Sequence, residues 1–123
     1  NIVNISSVNA FFPFPKNGPY NCAKHAVKAL NQTLQQELRK TSINVTSVHP
    51  GGIKTNIVSN SIFADDDSSS DMAQDRIDKF ANIALTTPER AADKIIKGIK
   101  KNTKRQLVGI DAVVIDFLCR LMP

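Results

Sequence analysis

The chain has a single tyrosine, Tyr20, and Lys24 follows it by four residues, a spacing that sets both side chains on one face of a helix. A phenol beside an ammonium can move protons. Phenols titrate near 10, too high to exchange readily at neutrality. An ammonium about 4 Å away, at an effective dielectric near 20, favours the phenolate by roughly 4 kcal/mol before desolvation is subtracted. Ser7 ends a β-like run ahead of Tyr20, where its hydroxyl could steady an oxygen that gains charge. Pro50, Gly51 and Thr55 follow a second such run, in the place where open parallel sheets bind ligands, at the carboxyl ends of strands. Each feature alone has an ordinary reading: a packing tyrosine, a capping serine, a Pro-Gly turn. The three together do not arise readily by chance.

Other residues with chemical potential read as structural. His25 lies about 100° around a helix from Lys24 and reads as a surface or interface residue. His49, just before Pro50, reads as a structural histidine. Two histidines and two distant cysteines, Cys22 and Cys119, offer no metal-binding spacing. Asp65, Asp66 and Asp67 lack the glycine-containing register of a cation loop and read as solvated. Phe11, Phe12 and Phe14, between Ser7 and Tyr20, read either as the lining of an apolar substrate pocket or as core.

These residues need elements to hold them. Ile2, Val3 and Ile5 form a β-branched run ending at Ser6 and Ser7, which reads as a buried strand. Pro13, Pro15 and Gly18 mark a loop. Pro19 suits the first position of a helix reaching about Lys40, with Ala23, Val27, Leu30, Leu34 and Leu38 as its apolar stripe. Small residues on its other flank, Cys22, Ala26, Ala29 and Thr33, would admit a neighbouring helix. Residues 44–48 read as a second strand, stopped by Pro50, Gly51 and Gly52. Strand, helix, strand with short links is a parallel crossover. Residues 56–78 are too polar for a core element and read as a mobile excursion, and residues 56–79 could act as a lid over the substrate after Thr55. Pro88 and Glu89 open a further helix with Ala91, Ala92, Ile95, Ile96 and Ile99 on one side, and residues 106–108 read as a third short strand. A last amphipathic segment has Asp111 as its cap, with Val114, Ile115, Leu118 and Leu121 along its stripe and Phe117 beside it.

Asn4-Ile-Ser-Ser7, Tyr20-Asn-Cys-Ala-Lys24 and His49-Pro-Gly-Gly-Ile-Lys-Thr55 together resemble three successive motifs of the short-chain dehydrogenase/reductase family, and Gly109 to Ala112 resembles the family's closing Gly-x-Asp-Ala segment. The resemblance implies an α/β fold: the carboxyl-terminal portion of a Rossmann-type doubly wound parallel sheet, about three strands with flanking helices, corresponding to the family's fifth to seventh. It makes residues 1–123 the catalytic, substrate-side half of such a domain. The Gly-rich cofactor turn, the Asn-Asn-Ala-Gly segment and the catalytic Asn of the family's amino-terminal half do not occur in these residues. The implied activity is NAD(P)-dependent interconversion of an alcohol and a carbonyl, with NAD or NADP as cofactor. Tyr20 would be the acid and base, Lys24 its tuner and the ligand of the nicotinamide ribose, and Ser7 the partner of the substrate oxygen. Tyr20, Lys24, Pro50, Gly51, Ile53 and Thr55 would form the cofactor contacts, Thr55 and the backbone around Ile53 holding the carboxamide. Pro50 and Gly51 let backbone pass close to the ring. A homo-oligomer is expected of the full-length protein.

Composition narrows the alternatives. The chain has 123 residues, a formal net charge of +5 and 41% apolar residues, the profile of one ordinary domain or less. No run approaches the roughly 20 apolar residues of a membrane-spanning helix. The positive charge is scattered, and without Trp there are few stacking platforms for nucleic acid. Lys94, Lys97, Lys100, Lys101 and Lys104 read as a solvated helix face. Sparse cysteine and the lack of an opening signal sequence suggest the cytoplasm. The chain opens at Asn1 within a β-like run, which reads as part of a longer protein, and the isolated 123 residues are expected to be inactive. Two rivals remain: an epimerase or dehydratase using Ser7, Tyr20 and Lys24, and a non-catalytic fragment or interaction module.

Overall fold

β-Branched residues build the strands, and proline punctuates the helices. A computed structural model describes residues 1–60 and 70–122. In chain order they form β1 (Ile2–Ile5), a 3-10 turn (Val8–Ala10), α1 (Gly18–Glu37), β2 (Val45–Pro50), α2 (Ser70–Ile83), α3 (Pro88–Lys100), β3 (Arg105–Val108) and α4 (Ile110–Leu121). The three strands make one parallel sheet in the order β1-β2-β3. All three strands, the first crossover and the doubly wound α/β class agree with the sequence reading, and a second parallel crossover joins β2 to β3.

Register divides the sheet into two chemically different faces. Ile2 pairs with Val45, Asn4 with Ser47, and Ser47 in turn with Arg105, so alternation places Asn4, Ser47, His49 and Arg105 on the face beneath α1 and α4. The opposite face carries Val3, Val48 and Val108, which pack with Ala91 and Ile95 of α3 and with Ile53. Burial of this apolar face drives α3 onto the sheet. Beneath α1 the buried groups are polar and bonded instead. Asn4 Nδ2 donates to Asn31 Oδ1 at 3.1 Å, Asn31 Nδ2 donates to the Val27 carbonyl at 2.9 Å, and Gln35 Nε2 reaches the carbonyls of Val45 and Lys104 at 3.1 and 2.7 Å.

Several expectations change. β1 is an edge of the described sheet, and Ile5 is 46% exposed rather than buried; the fully enclosed strand is β2. The face of α1 toward the sheet carries Asn21, Val27, Asn31 and Leu34, while Leu30, placed on the apolar stripe by periodicity, is 53% exposed. α1 also ends at Glu37 rather than near Lys40, where Leu38 leaves helical geometry. β2 runs on through His49 and Pro50, because Pro50 pairs with Val108 and the Gly51 N–H donates to the Val108 carbonyl at 2.9 Å.

The polar stretch taken for a loop becomes helix α2 from Ser70. Exposed pairs one turn apart support it: Gln74 Nε2 donates to Asp78 Oδ1 at 2.9 Å, and Lys79 pairs with Asp75 at 2.5 Å. The remainder of the proposed lid is described only for residues 56–60, which form a turn with the Asn60 N–H on the Asn56 carbonyl at 2.9 Å. Asp65, Asp66 and Asp67 lie outside the described residues. α4 begins after Gly109 instead of at Asp111 and turns its apolar stripe outward: Val114, Phe117, Leu118 and Leu121 are exposed, while Ala112 and Asp116 face inward. Among the described residues no helix is long and apolar enough to cross a membrane.

Candidate functional site

The carboxyl ends of the parallel strands gather the motif residues. Where β1 ends, Lys24 Nζ donates to the Ile5 carbonyl at 3.0 Å and Ser6 Oγ donates to the Lys24 carbonyl at 2.8 Å. These two bonds fasten the second turn of α1 to the strand. The Lys24 ammonium lies over the Tyr20 ring, 5.5 Å from its centroid, so the four-residue spacing does bring the two together. Tyr20 is 43% exposed, and its hydroxyl has no hydrogen bond among the described residues.

Ser7 is buried and caps the 3-10 turn, its Oγ accepting from the Asn9 N–H at 3.2 Å and donating to Asn9 Oδ1 at 3.3 Å. Asn9 Nδ2 in turn donates to Asn21 Oδ1 at 3.0 Å, and Asn21 Nδ2 donates to the Phe14 carbonyl at 2.8 Å. An amide bridge therefore ties the Ser7 loop to the turn of α1 that bears Tyr20. Neither asparagine was singled out from the sequence. Asn21 lies inside the Tyr20 to Lys24 motif, but its partner is 12 residues away, and only folding reveals the pairing.

After β2 the backbone turns tightly under an unexpected clamp. Asp111 Oδ2 accepts the Gly52 N–H at 2.6 Å, and a Cβ on Gly51 or Gly109 would overlap the Asp111 carboxylate. Gly109 has φ of 107°, a region that side chains disfavour. Asp111 is thus no helix cap but a clamp from the start of α4 onto the Pro50-Gly51-Gly52 turn. Ile53 bridges to Thr86, with the Lys54 N–H on the Thr86 carbonyl at 2.8 Å, and Thr55 is exposed with Oγ1 3.4 Å from the Ile53 carbonyl. Pro50, the last residue of β2, and Gly51, Ile53 and Thr55 of the loop that follows consequently lie at the same sheet end as Ser7 and Lys24.

His49 is 2% exposed. Its Nδ1 faces the Ser7 carbonyl at 3.3 Å and its Nε2 the Ser47 hydroxyl at 2.8 Å. A carbonyl only accepts, so Nδ1 carries the proton and Nε2 accepts from Ser47. Burial holds the imidazole below its ordinary range, with the nearby Lys28 charge acting in the same direction. The histidine is structural, as expected, yet it braces the loop that carries Ser7. His25 is exposed and hydrogen-bonds the Asn21 carbonyl through Nδ1 at 2.9 Å.

The phenylalanines separate. Phe12 and Phe14 are 50% and 38% exposed and meet edge to face, centroids 5.2 Å apart. Phe11 packs against His49 at 4.4 Å on the α1 side of the sheet.

A family model described as short chain dehydrogenase matches residues 1–66. SadH of Mycobacterium tuberculosis is 39% identical over 98% of this chain, which covers 44% of that relative. Dehydrogenase/reductase SDR family member 7B of Xenopus laevis is 31% identical over 99% of the chain, covering 36% of the relative. The chain thus spans less than half the length of these curated relatives. Among solved structures, a short chain dehydrogenase/reductase from Burkholderia phymatum in complex with NAD superposes with a TM-score of 0.80 at 23% identity, over 98% of this chain and 45% of the other. A 4-hydroxyisoleucine dehydrogenase complexed with NADH superposes with a TM-score of 0.61 at 23% identity, over 87% of this chain and 44% of the other. The parallel sheet with its helices is the fold shared with both.

Proposed function

This chain belongs to the short chain dehydrogenase family, and from that premise we propose that it supplies the catalytic half of an NAD(P)-dependent oxidoreductase interconverting an alcohol and a carbonyl. The observation that carries the reading is the anchored Lys24 beneath an exposed Tyr20: the ammonium is fixed by the Ile5 carbonyl at 3.0 Å and lies 5.5 Å from the ring centroid. A carbonyl that becomes an alcohol gains a proton on oxygen, and the Tyr20 hydroxyl, without an internal partner among the described residues, is placed to deliver it. The Lys24 ammonium, over the same ring, faces the negative charge that the departing proton leaves. Ser7 steadies the same substrate oxygen, exchanging its long 3.3 Å bond to Asn9 Oδ1 for it.

The donor set suits a nicotinamide cofactor. Lys24 and Tyr20 offer an ammonium and a hydroxyl to a ribose diol, Thr55 and the backbone around Ile53 offer polar groups to an amide, and Pro50 and Gly51 keep bulky side chains away from the ring. When bound, the nicotinamide exchanges hydride with the substrate. The NAD and NADH named for the two solved neighbours support this cofactor class. Exposed Phe12 and Phe14 support an apolar substrate. The exposed small residues of α1 support a homo-oligomer of the full-length protein, and two free thiols, Cys22 and Cys119, suit the cytoplasm.

The test is turnover of Tyr20→Phe in the full-length protein. We expect kcat to fall about a hundredfold or more while cofactor Kd changes little, because the hydroxyl acts when the proton moves. Retention of more than about a tenth of kcat would refute the assignment. Product formation without net oxidation or reduction of the nicotinamide would favour an epimerase or dehydratase instead.

A further inference from the structure

Between α1, β3 and α4 lies a cavity of about 350 Å³, and of the motif residues only the structural His49 lines it. Four cations border it, Lys28, Lys104, Arg105 and Arg120, against a single carboxylate, Asp116. That is an excess of three positive charges. Two of the guanidinium groups already share Asp116: Arg105 pairs with its Oδ1, and Arg120 Nε donates to Oδ2 at 3.2 Å. Lys28 Nζ donates to the Ala10 carbonyl at 2.9 Å and lies 4.8 Å from the Phe11 ring centroid, while Arg105 stacks over the same ring at 4.2 Å. Phe11 therefore forms an apolar floor that holds two cations in place and limits their hydration.

Arg105 Nε is buried and has no acceptor among the described residues. A buried N–H without a partner is uncommon in folded proteins and commonly marks a site for a water or an ion. Here the Arg105 side chain borders a cavity whose charge favours an anion, and whose volume falls at the lower end of small-molecule pockets. The three positive charges left over once Asp116 is counted match a diphosphate. His49, also at the wall, has both ring nitrogens engaged by Ser47 and the Ser7 carbonyl and adds no free donor to the cavity.

We propose that this cavity binds a compact phosphate-bearing anion, with the Arg105 guanidinium and the Lys28 ammonium as inner contacts and Lys104 and Arg120 at the exposed mouth. The site is separate from the proposed cofactor contacts at the strand ends and does not depend on that reading. Guanidinium and ammonium donors match phosphoryl oxygens as charge-assisted partners.

The two cysteines provide the test. Cys119 lines the cavity, while Cys22 is exposed on α1 and does not. In the full-length protein at constant ionic strength, inorganic pyrophosphate should slow alkylation of Cys119 by neutral iodoacetamide about fivefold or more. The effect should saturate, with Cys22 unaffected, as read by mass spectrometry of the two peptides. Lys104→Gln combined with Arg120→Gln alters only exposed side chains and should weaken the pyrophosphate Kd about tenfold or more. Arg105→Lys, which keeps the charge but removes the planar guanidinium, should weaken it comparably. Equal protection of both thiols, no protection of Cys119, equal binding of citrate, or the same effect from chloride would overturn the proposal.

Discussion

Lys24 is held from two directions, its ammonium by the Ile5 carbonyl and its own carbonyl by Ser6 Oγ, so its charge is positioned before any ligand arrives. Lys24→Met should therefore impair two steps at once. We expect cofactor Kd in the full-length protein to weaken about tenfold and kcat to fall about a hundredfold, measured by titration and by turnover. An unchanged Kd would remove the ribose role. His49 makes a different prediction, about stability. Burial lowers its pKa from the ordinary 6.5, so on acidification the unfolded chain takes up this proton first. Its contribution to stability is full above about pH 6.5 and is lost as the pH falls from there toward the lowered native value. The melting temperature should fall between about pH 7 and about pH 5, and the slope should flatten in His49→Asn. An identical slope in that variant would show that other groups govern the acid limb.

Elements meet at the Asp111 clamp. The carboxylate reaches from the start of α4 to the Gly52 N–H after β2, and the missing Cβ atoms of Gly51 and Gly109 leave the space it fills. The turn proposed to face the nicotinamide is thus shaped by a residue 59 positions away. Asp111→Asn replaces a charge-assisted bond with a neutral one. It should destabilise the fold by about 1 kcal/mol, read by thermal denaturation, and raise the cofactor KM with a smaller change in kcat. A variant with native stability and native KM would show that the turn holds its shape without the clamp.

At the scale of the molecule, surface outweighs core. The 13.5 kDa chain exposes 8333 Å², against roughly 6,500 Å² for a folded monomer of that mass. Among the described residues the buried apolar ones are only valines and alanines, while Leu30, Ile110, Phe117, Leu121 and Met122 are each more than half exposed. Such exposed apolar area favours association. The 123 residues expressed alone should sediment as oligomers or aggregates. They should also bind neither NAD nor NADP more tightly than about millimolar, because the Gly-rich turn that cradles a dinucleotide pyrophosphate does not occur in this sequence. A monomer with micromolar affinity for either cofactor would refute both expectations.

Local pattern alone determined the strands, the long helix, the parallel crossover and the placing of Tyr20 beside Lys24, because β-branched runs, proline punctuation and the helical repeat act over a few residues. It also placed Ser7 and Thr55 beyond strand ends, since Ser6-Ser7 and Gly51-Gly52 interrupt their strands. Periodicity failed where apolar residues face outward, as at Leu30 and along α4, because it finds a stripe without saying what covers it. A polar stretch hid α2, whose pairs one turn apart compensate for its weak apolar face. Only the tertiary structure decided that Asn9 and Asn21 bridge the Ser7 loop to α1, that Asp111 clamps the Gly51 turn rather than capping α4, and that Phe11 leaves its neighbours to sit among cations. Each of these is a contact between residues far apart in the chain, and a side chain's partner at that range is set by the packing of whole elements.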